Sequence, residues 1–138
     1  MNTNITISTI AFCIGLAILS SCAKPPVNID YETLRAEVIG KENCKGSDTA
    51  DFWLIDLSVY QYNDSQYGDT VTFNGRFYTK AVKLKGLDKS LQVSGTKVAI
   101  AFKVISNDKI SSTGCTVSNP TTYPLRVVTI YNQSPASF

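Results

Sequence analysis

The sequence predicts a small all-β domain of five to six strands with one short helical connector. Three features predict it. Apolar and polar residues alternate with period 2 through most of the chain after residue 31. No window of a dozen residues carries an apolar stripe at helical spacing. Asn74-Gly75 stands between two runs rich in Thr, Val, Phe and Tyr, where a two-residue hairpin turn needs two residues tolerant of positive φ. The chain has 138 residues, 43% apolar and 17% charged, so it is too apolar for disorder and long enough for one core.

The first strand is expected from Leu34, Ala36 and Val38, which alternate with Arg35 and Glu37, and it is expected to end at Gly40. Phe52 to Ser58 follows, with Trp53, Ile55 and Leu57 on one side and Phe52 and Leu54 on the other. Such a strand is central and buried on both faces. The hairpin takes residues 70 to 79, and its returning strand continues through Val82 and Leu84, with Lys80 marking a bulge or an edge. Gly86 ends it.

Leu87 to Val93 is the only stretch suited to a helical turn or two, 3₁₀ or irregular, with Leu87 and Leu91 four apart. After Gly95 comes the cleanest alternation, with Val98, Ile100, Phe102 and Val104 opposite Lys97, Ala99, Ala101 and Lys103. Asn107-Asp108 reads as a turn, 109 to 115 as a short return, and Tyr123 to Tyr131 as the final strand around Leu125, Val127, Val128 and Ile130. The polar tail from Gln133 reads as frayed.

Residues 5 to 19 form an uncharged apolar run with the length of an export signal's core, too short to span about 30 Å of hydrocarbon. The run closes on Leu19-Ser20-Ser21-Cys22, which resembles the lipobox of bacterial lipoproteins, where the cysteine thiol takes up diacylglycerol before cleavage. Met1-Asn2-Thr3-Asn4 lacks the Lys or Arg usual before such a core, which raises the question of a misplaced start codon. An uncleaved anchor and an ordinary cleaved signal are the alternatives, and all three export the domain.

Residues 1–21 are therefore expected to be a lipoprotein signal peptide, 22–30 a lipidated tether stiffened by Pro25 and Pro26, and 31–138 the β-barrel domain. Cys22 becomes a membrane anchor. The resemblance implies the periplasmic face of an outer membrane, with the cell surface and inner membrane as alternatives.

The order strand, strand, hairpin, short helical connector, strand, strand resembles the OB-fold, a Greek-key barrel with a helix between its third and fourth strands. The alternative is a β-sandwich. The whole chain is similar to small exported bacterial lipoproteins with such a domain, a resemblance that implies no activity.

Cys44 and Cys115 remain in an exported domain, where two cysteines pair. In the OB-like order they fall in the first and last loops, so a disulfide would brace the end where such folds bind ligands. A redox pair would need Cys-x-x-Cys beside a helix N-terminus, and neither is present.

Histidine is absent, which removes the commonest general base and zinc ligand. No catalytic residue, metal site or cofactor is expected. Asp48, Asp51 and Asp56 lack the spacing of a hydrolytic carboxylate pair, and Asp48 reads as turn chemistry. Residues 63 to 69 only faintly resemble a calcium loop, since Tyr67 replaces an oxygen ligand and the closing Glu is missing.

Net charge is +2, but residues 28 to 69 hold nine acids and three bases whereas 76 to 109 hold eight bases and two acids. A basic stripe through Arg76, Lys80, Lys83, Lys85, Lys89, Lys97 and Lys103 would suit an anionic partner; solvated strand faces and edge lysines account for it more simply. Nucleic acid is not an expected partner of an exported domain.

Tyr60, Tyr62 and Tyr67, among Gln61, Asn63, Asp64 and Gln66, form the candidate binding site for a protein or polysaccharide, with strand extension as the plainer reading. The expected function is a non-catalytic, membrane-anchored envelope binding module. An assembly accessory of a larger envelope complex is the alternative, and a hydrolase is disfavoured.

Overall fold

The computed structural model describes residues 32–59 and 66–137. The leader, Cys22 and the tether lie outside them, as do Tyr60 and Tyr62. Six strands form one mixed sheet: β1 (Glu32–Lys41), β2 (Trp53–Asp56), β3 (Asp69–Phe73), β4 (Arg76–Leu84), β5 (Lys97–Val104) and β6 (Val127–Pro135). A 3₁₀ turn at Lys89–Leu91 stands between β4 and β5.

The sheet returns on itself. β1 pairs antiparallel with β2 and β5, β2 with β4, and β5 with β6, while β4 and β6 meet in parallel at Lys83↔Val127 and Leu84↔Val128. The five strands β1, β2, β4, β6 and β5 thus follow one another in a ring-like closure with OB-like order. The closing contact is only two residue pairs long, so the ring is barely shut at that point.

β3 lies outside the ring. Ala81 pairs with Asp56 of β2 and with Asp69 of β3, so these strands occupy opposite edges of β4. Two residues further on, β6 takes over the edge that β3 leaves. The buried Asp69 carboxylate sits at this changeover and accepts the backbone N–H of Arg126 at 2.9 Å. A backbone donor at the sheet junction is thereby satisfied.

Alternation builds the core. Val38, Trp53, Ile55, Val82, Ile100 and Phe102 meet inside the ring, and Leu87 and Leu91 of the 3₁₀ region join them. The other faces of β1, β2 and β4 bury Ile39, Leu54 and Ala81 in a second cluster with Val71, Tyr78 and Leu125. β2 is therefore buried on both faces, as its sequence predicts.

The hairpin forms at Asn74 and Gly75, both at positive φ. Opposite Lys80 the register slips: Thr70 alone faces Thr79 and Lys80, which is the bulge the lysine suggested.

Three expectations are corrected. β1 does not stop at Gly40 but continues to Lys41, with Ile39 as an extra residue against β2. Gly40 instead marks a close approach, since a Cβ there would lie 2.4 Å from Cζ of Phe73. Residues 109–115 form no strand; Ile110 makes only an isolated bridge to Leu125. The tail is not frayed from Gln133: Gln133, Ser134 and Pro135 pair with Ile100, Ala99 and Val98, because the β5 edge supplies partners that polar side chains do not preclude.

Candidate functional site

Two loops meet at the end of the ring where β1 passes to β2 and β5 passes to β6. The first covers residues 42–52. The second, residues 105–126, contains no regular element, and an unstructured loop of that length inside a compact domain is commonly functional. Cys44 and Cys115 join the loops by a disulfide, Cα to Cα 4.4 Å, as the OB-like order implied. Asn43 and Thr121 exchange backbone hydrogen bonds at 2.9 Å in both directions.

The same loops share an ion pair that the sequence did not reveal. Lys83 Nζ donates to Glu42 Oε1 at 3.0 Å and to the Tyr123 carbonyl at 2.9 Å, with a longer contact to Ser112 Oγ at 3.5 Å. Glu42 also accepts the Tyr123 N–H at 2.8 Å and the Ser112 hydroxyl. Both charged side chains are completely buried. The three ammonium donors each have an acceptor, so the pair ties both loops to β4. Burial, with the Glu42 charge nearby, raises the Tyr123 phenol above its ordinary value.

Asp51 organises the first loop. Its Oδ1 accepts the N–H groups of Cys44 and Lys45 at 3.0 and 2.6 Å, and Oδ2 accepts that of Ser47 at 3.0 Å. Burial pushes this carboxyl up, but the N–H donors and the positive Lys41 together hold it below the usual carboxylate value. Asp48 pairs with Lys41, and Asp56 accepts the N–H and hydroxyl of Ser58. The three aspartates therefore make separate local structures. Among the described residues no group of three His, Cys, Asp or Glu is placed to hold a metal ion.

Two members of the basic stripe, Lys83 and Lys97, are engaged by acids, as is Lys109 outside it. Lys83 is internal, Lys97 pairs with Glu37, and Lys109 approaches Asp69 at 3.4 Å. The acidic and basic halves of the sequence thus pair in part across the fold. Tyr67 is half-buried against the core, its ring edge-on to Phe102 at 6.4 Å. It faces the interior cluster, apart from the cavities below.

Where β4 and β6 separate, a groove of about 670 Å³ opens, within the range of natural ligand sites. One wall is β6 with the exposed Tyr131; the other is Lys85, Gly86 and Asp88, with Ile105 and Phe52 toward the loops. Tyr131 is the extra residue of a bulge in β6, and such bulges redirect side chains. Gln133 spans the gap: its Nε2 donates to the Gly86 carbonyl at 3.0 Å and its Oε1 accepts the Asp88 N–H at 3.0 Å.

A smaller cleft of about 240 Å³ lies between the two loops and shares Phe52 and Lys85 with the groove. Lys85 Nζ stands 4.7 Å from the Phe52 ring centroid, and Lys83 Nζ lies at the same distance. The residues lining these spaces come from four distant segments, so period and composition did not group them. The only local signal was Phe52 and Lys85 at the ends of two strands.

Comparison with known proteins gives no match: no protein-family model, curated protein or solved structure is significantly similar to the chain.

Proposed function

We propose that the protein is a lipid-anchored, non-catalytic binding module of the bacterial envelope, taking an extended polymer or a protein partner in the groove between β4 and β6. The observation that carries this reading is the groove itself, flanked by Tyr131 and Ile105, each 61% exposed although large and apolar. Exposed apolar side chains beside hydrogen-bonding ones suit a ligand with both characters. The groove is framed by strands and by loops tied with a disulfide and a buried ion pair, so binding would order little additional chain.

The anchor rests on Leu19-Ser20-Ser21-Cys22 after the apolar leader. The Cys44–Cys115 bond fits export to an oxidising compartment. The non-catalytic reading is supported by Ser112, whose hydroxyl donates to a carboxylate already paired with Lys83. Ser112 is thereby tied into a structural network, and the sequence holds no histidine, the usual partner of a nucleophilic serine.

The test has two arms. Mass spectrometry of membrane-extracted protein should find a chain beginning at an acylated Cys22; a chain retaining residues 1–21 without acyl mass overturns the anchor. Envelope fractions should be captured by the wild type and lost with Tyr131→Ala/Ile105→Ser, at an unchanged unfolding midpoint. Equal capture by that variant overturns the groove.

A further inference from the structure

We infer that the cleft between the disulfide-linked loops is an anion subsite and that the polymer taken by the adjoining groove is an acidic polysaccharide. This inference rests on the groove reading above and specifies its ligand. Lys45 rises from the first loop and Lys85 from the end of β4, and both line the cleft. Among the described residues neither makes an ion pair: Lys45 Nζ donates to the Gly114 carbonyl, and Lys85 Nζ rests against Phe52. An ammonium has three donors, so both retain hydrogen-bonding capacity directed by fixed neighbours.

The nearby acids are already engaged. Asp51 lines the same cleft, but its two oxygens accept three backbone N–H groups. Glu42 is completely buried and paired with Lys83. What the cleft offers a ligand is therefore two cations and the exposed hydroxyls of Ser111 and Thr113. That set complements a carboxylate, sulfate or phosphate oxyanion.

The cleft is small, and its shared wall with the larger groove determines the kind of ligand. Phe52 and Lys85 border both spaces, so a chain lying in the groove passes the cleft and can place a substituent there. The groove adds the exposed hydroxyl of Thr129 and the exposed amide of Asn132 to the apolar surfaces of Ile105 and Tyr131. Sugar rings present hydroxyl edges and C–H faces that match this alternation, whereas a purely electrostatic ligand would not use it.

Calorimetric titration of the full chain in detergent tests the inference with alginate oligosaccharides, dextran oligosaccharides of equal length, poly-glutamate and glycerophosphoglycerol, the water-soluble headgroup of phosphatidylglycerol. Alginate should bind and weaken with added salt, with the other three at least about tenfold weaker. Lys45→Gln and Lys85→Gln should each weaken alginate binding about tenfold, while Lys89→Gln, on the 3₁₀ turn, leaves it unchanged. All three lysines are exposed, so thermal midpoints should hold.

Equal binding of poly-glutamate or glycerophosphoglycerol overturns the inference, as does an equal loss with Lys89→Gln. Binding of a neutral glycan or a protein in the groove, unaffected at Lys45 and Lys85, overturns the anion subsite and leaves the binding-module reading intact. Failure of every glycan together with failure of envelope capture overturns both.

Discussion

Lys83 Nζ lies 3.0 Å from Glu42 Oε1, and neither side chain has any solvent exposure. The two residues are 41 positions apart and join the middle of the sheet to the start of the first loop. Removing one partner strands a buried charge. Lys83→Met is therefore expected to lower unfolding free energy by about 3–5 kcal/mol. Glu42→Gln/Lys83→Met should recover a large part of that loss, because no isolated charge remains. Urea unfolding of the two single variants and the double variant gives the coupling; additive losses would show that the pair is not the stabilising unit.

The disulfide closes a loop with a sequence separation of 71. Chain entropy gives a stabilisation of about 4 kcal/mol for such a crosslink. Cys44→Ala/Cys115→Ala should lower the urea midpoint accordingly, and reduction of the wild type should have the same effect. An unchanged midpoint would place the restraint in the Asn43–Thr121 bridge and the ion pair instead.

Asp51 gives the fold an acid-sensitive feature. Its carboxyl lies below the ordinary value in the folded protein, so the unfolded chain takes up the proton first as pH falls. Its contribution is complete above the unfolded value of about 4 and is lost as pH drops through the lower folded value. Asp51→Asn should cost about 1–3 kcal/mol at pH 7, since charge-assisted acceptors are lost from a buried turn. The difference from wild type should narrow below about pH 4. A constant difference across that range would mean that Asp51 contributes shape rather than charge.

Gly40 and Phe73 form a packing pair between β1 and the hairpin. A methyl group at Gly40 would overlap the Phe73 ring, which also packs on Tyr123 with centroids 5.5 Å apart. Gly40→Ala should destabilise by about 1–3 kcal/mol through forced movement of that ring. The cost should shrink in a Phe73→Leu background. Thermal unfolding of the four combinations measures this, and equal costs in both backgrounds would exclude the ring as the cause.

The sheet was largely legible in the sequence because its signals are local. Val98 to Phe102 alternate cleanly, and Asn74-Gly75 specifies its own turn. β2 announced burial on both faces through Trp53, Leu54 and Ile55. The errors occurred where the deciding contact is distant. Gln133 to Pro135 have weak strand preference, and the edge of β5 imposes extension on them.

The candidate site was much less legible. Lys83 is read as a surface residue from its type, and only the fold brings Glu42, Ser112 and Tyr123 around it. Of Tyr60, Tyr62 and Tyr67, grouped as neighbours in sequence, only Tyr67 lies among the described residues, where it packs on Phe102. Tyr131 gave little warning because its exposure follows from a bulge defined by its partner strand. Cys44 and Cys115 were the exception, since thiol pairing requires only two candidates and an oxidising compartment.

The Glu42–Lys83 pair is completely buried, whereas Lys45, Ser111 and Thr113 are exposed where they line the cleft. In the proposed binding mode, holding the scaffold and choosing a ligand would fall to different amino acids. The exposed positions can drift, or be randomised in the laboratory, without disturbing the buried charges. A library diversified at those three sites should yield altered preferences from molecules that still fold.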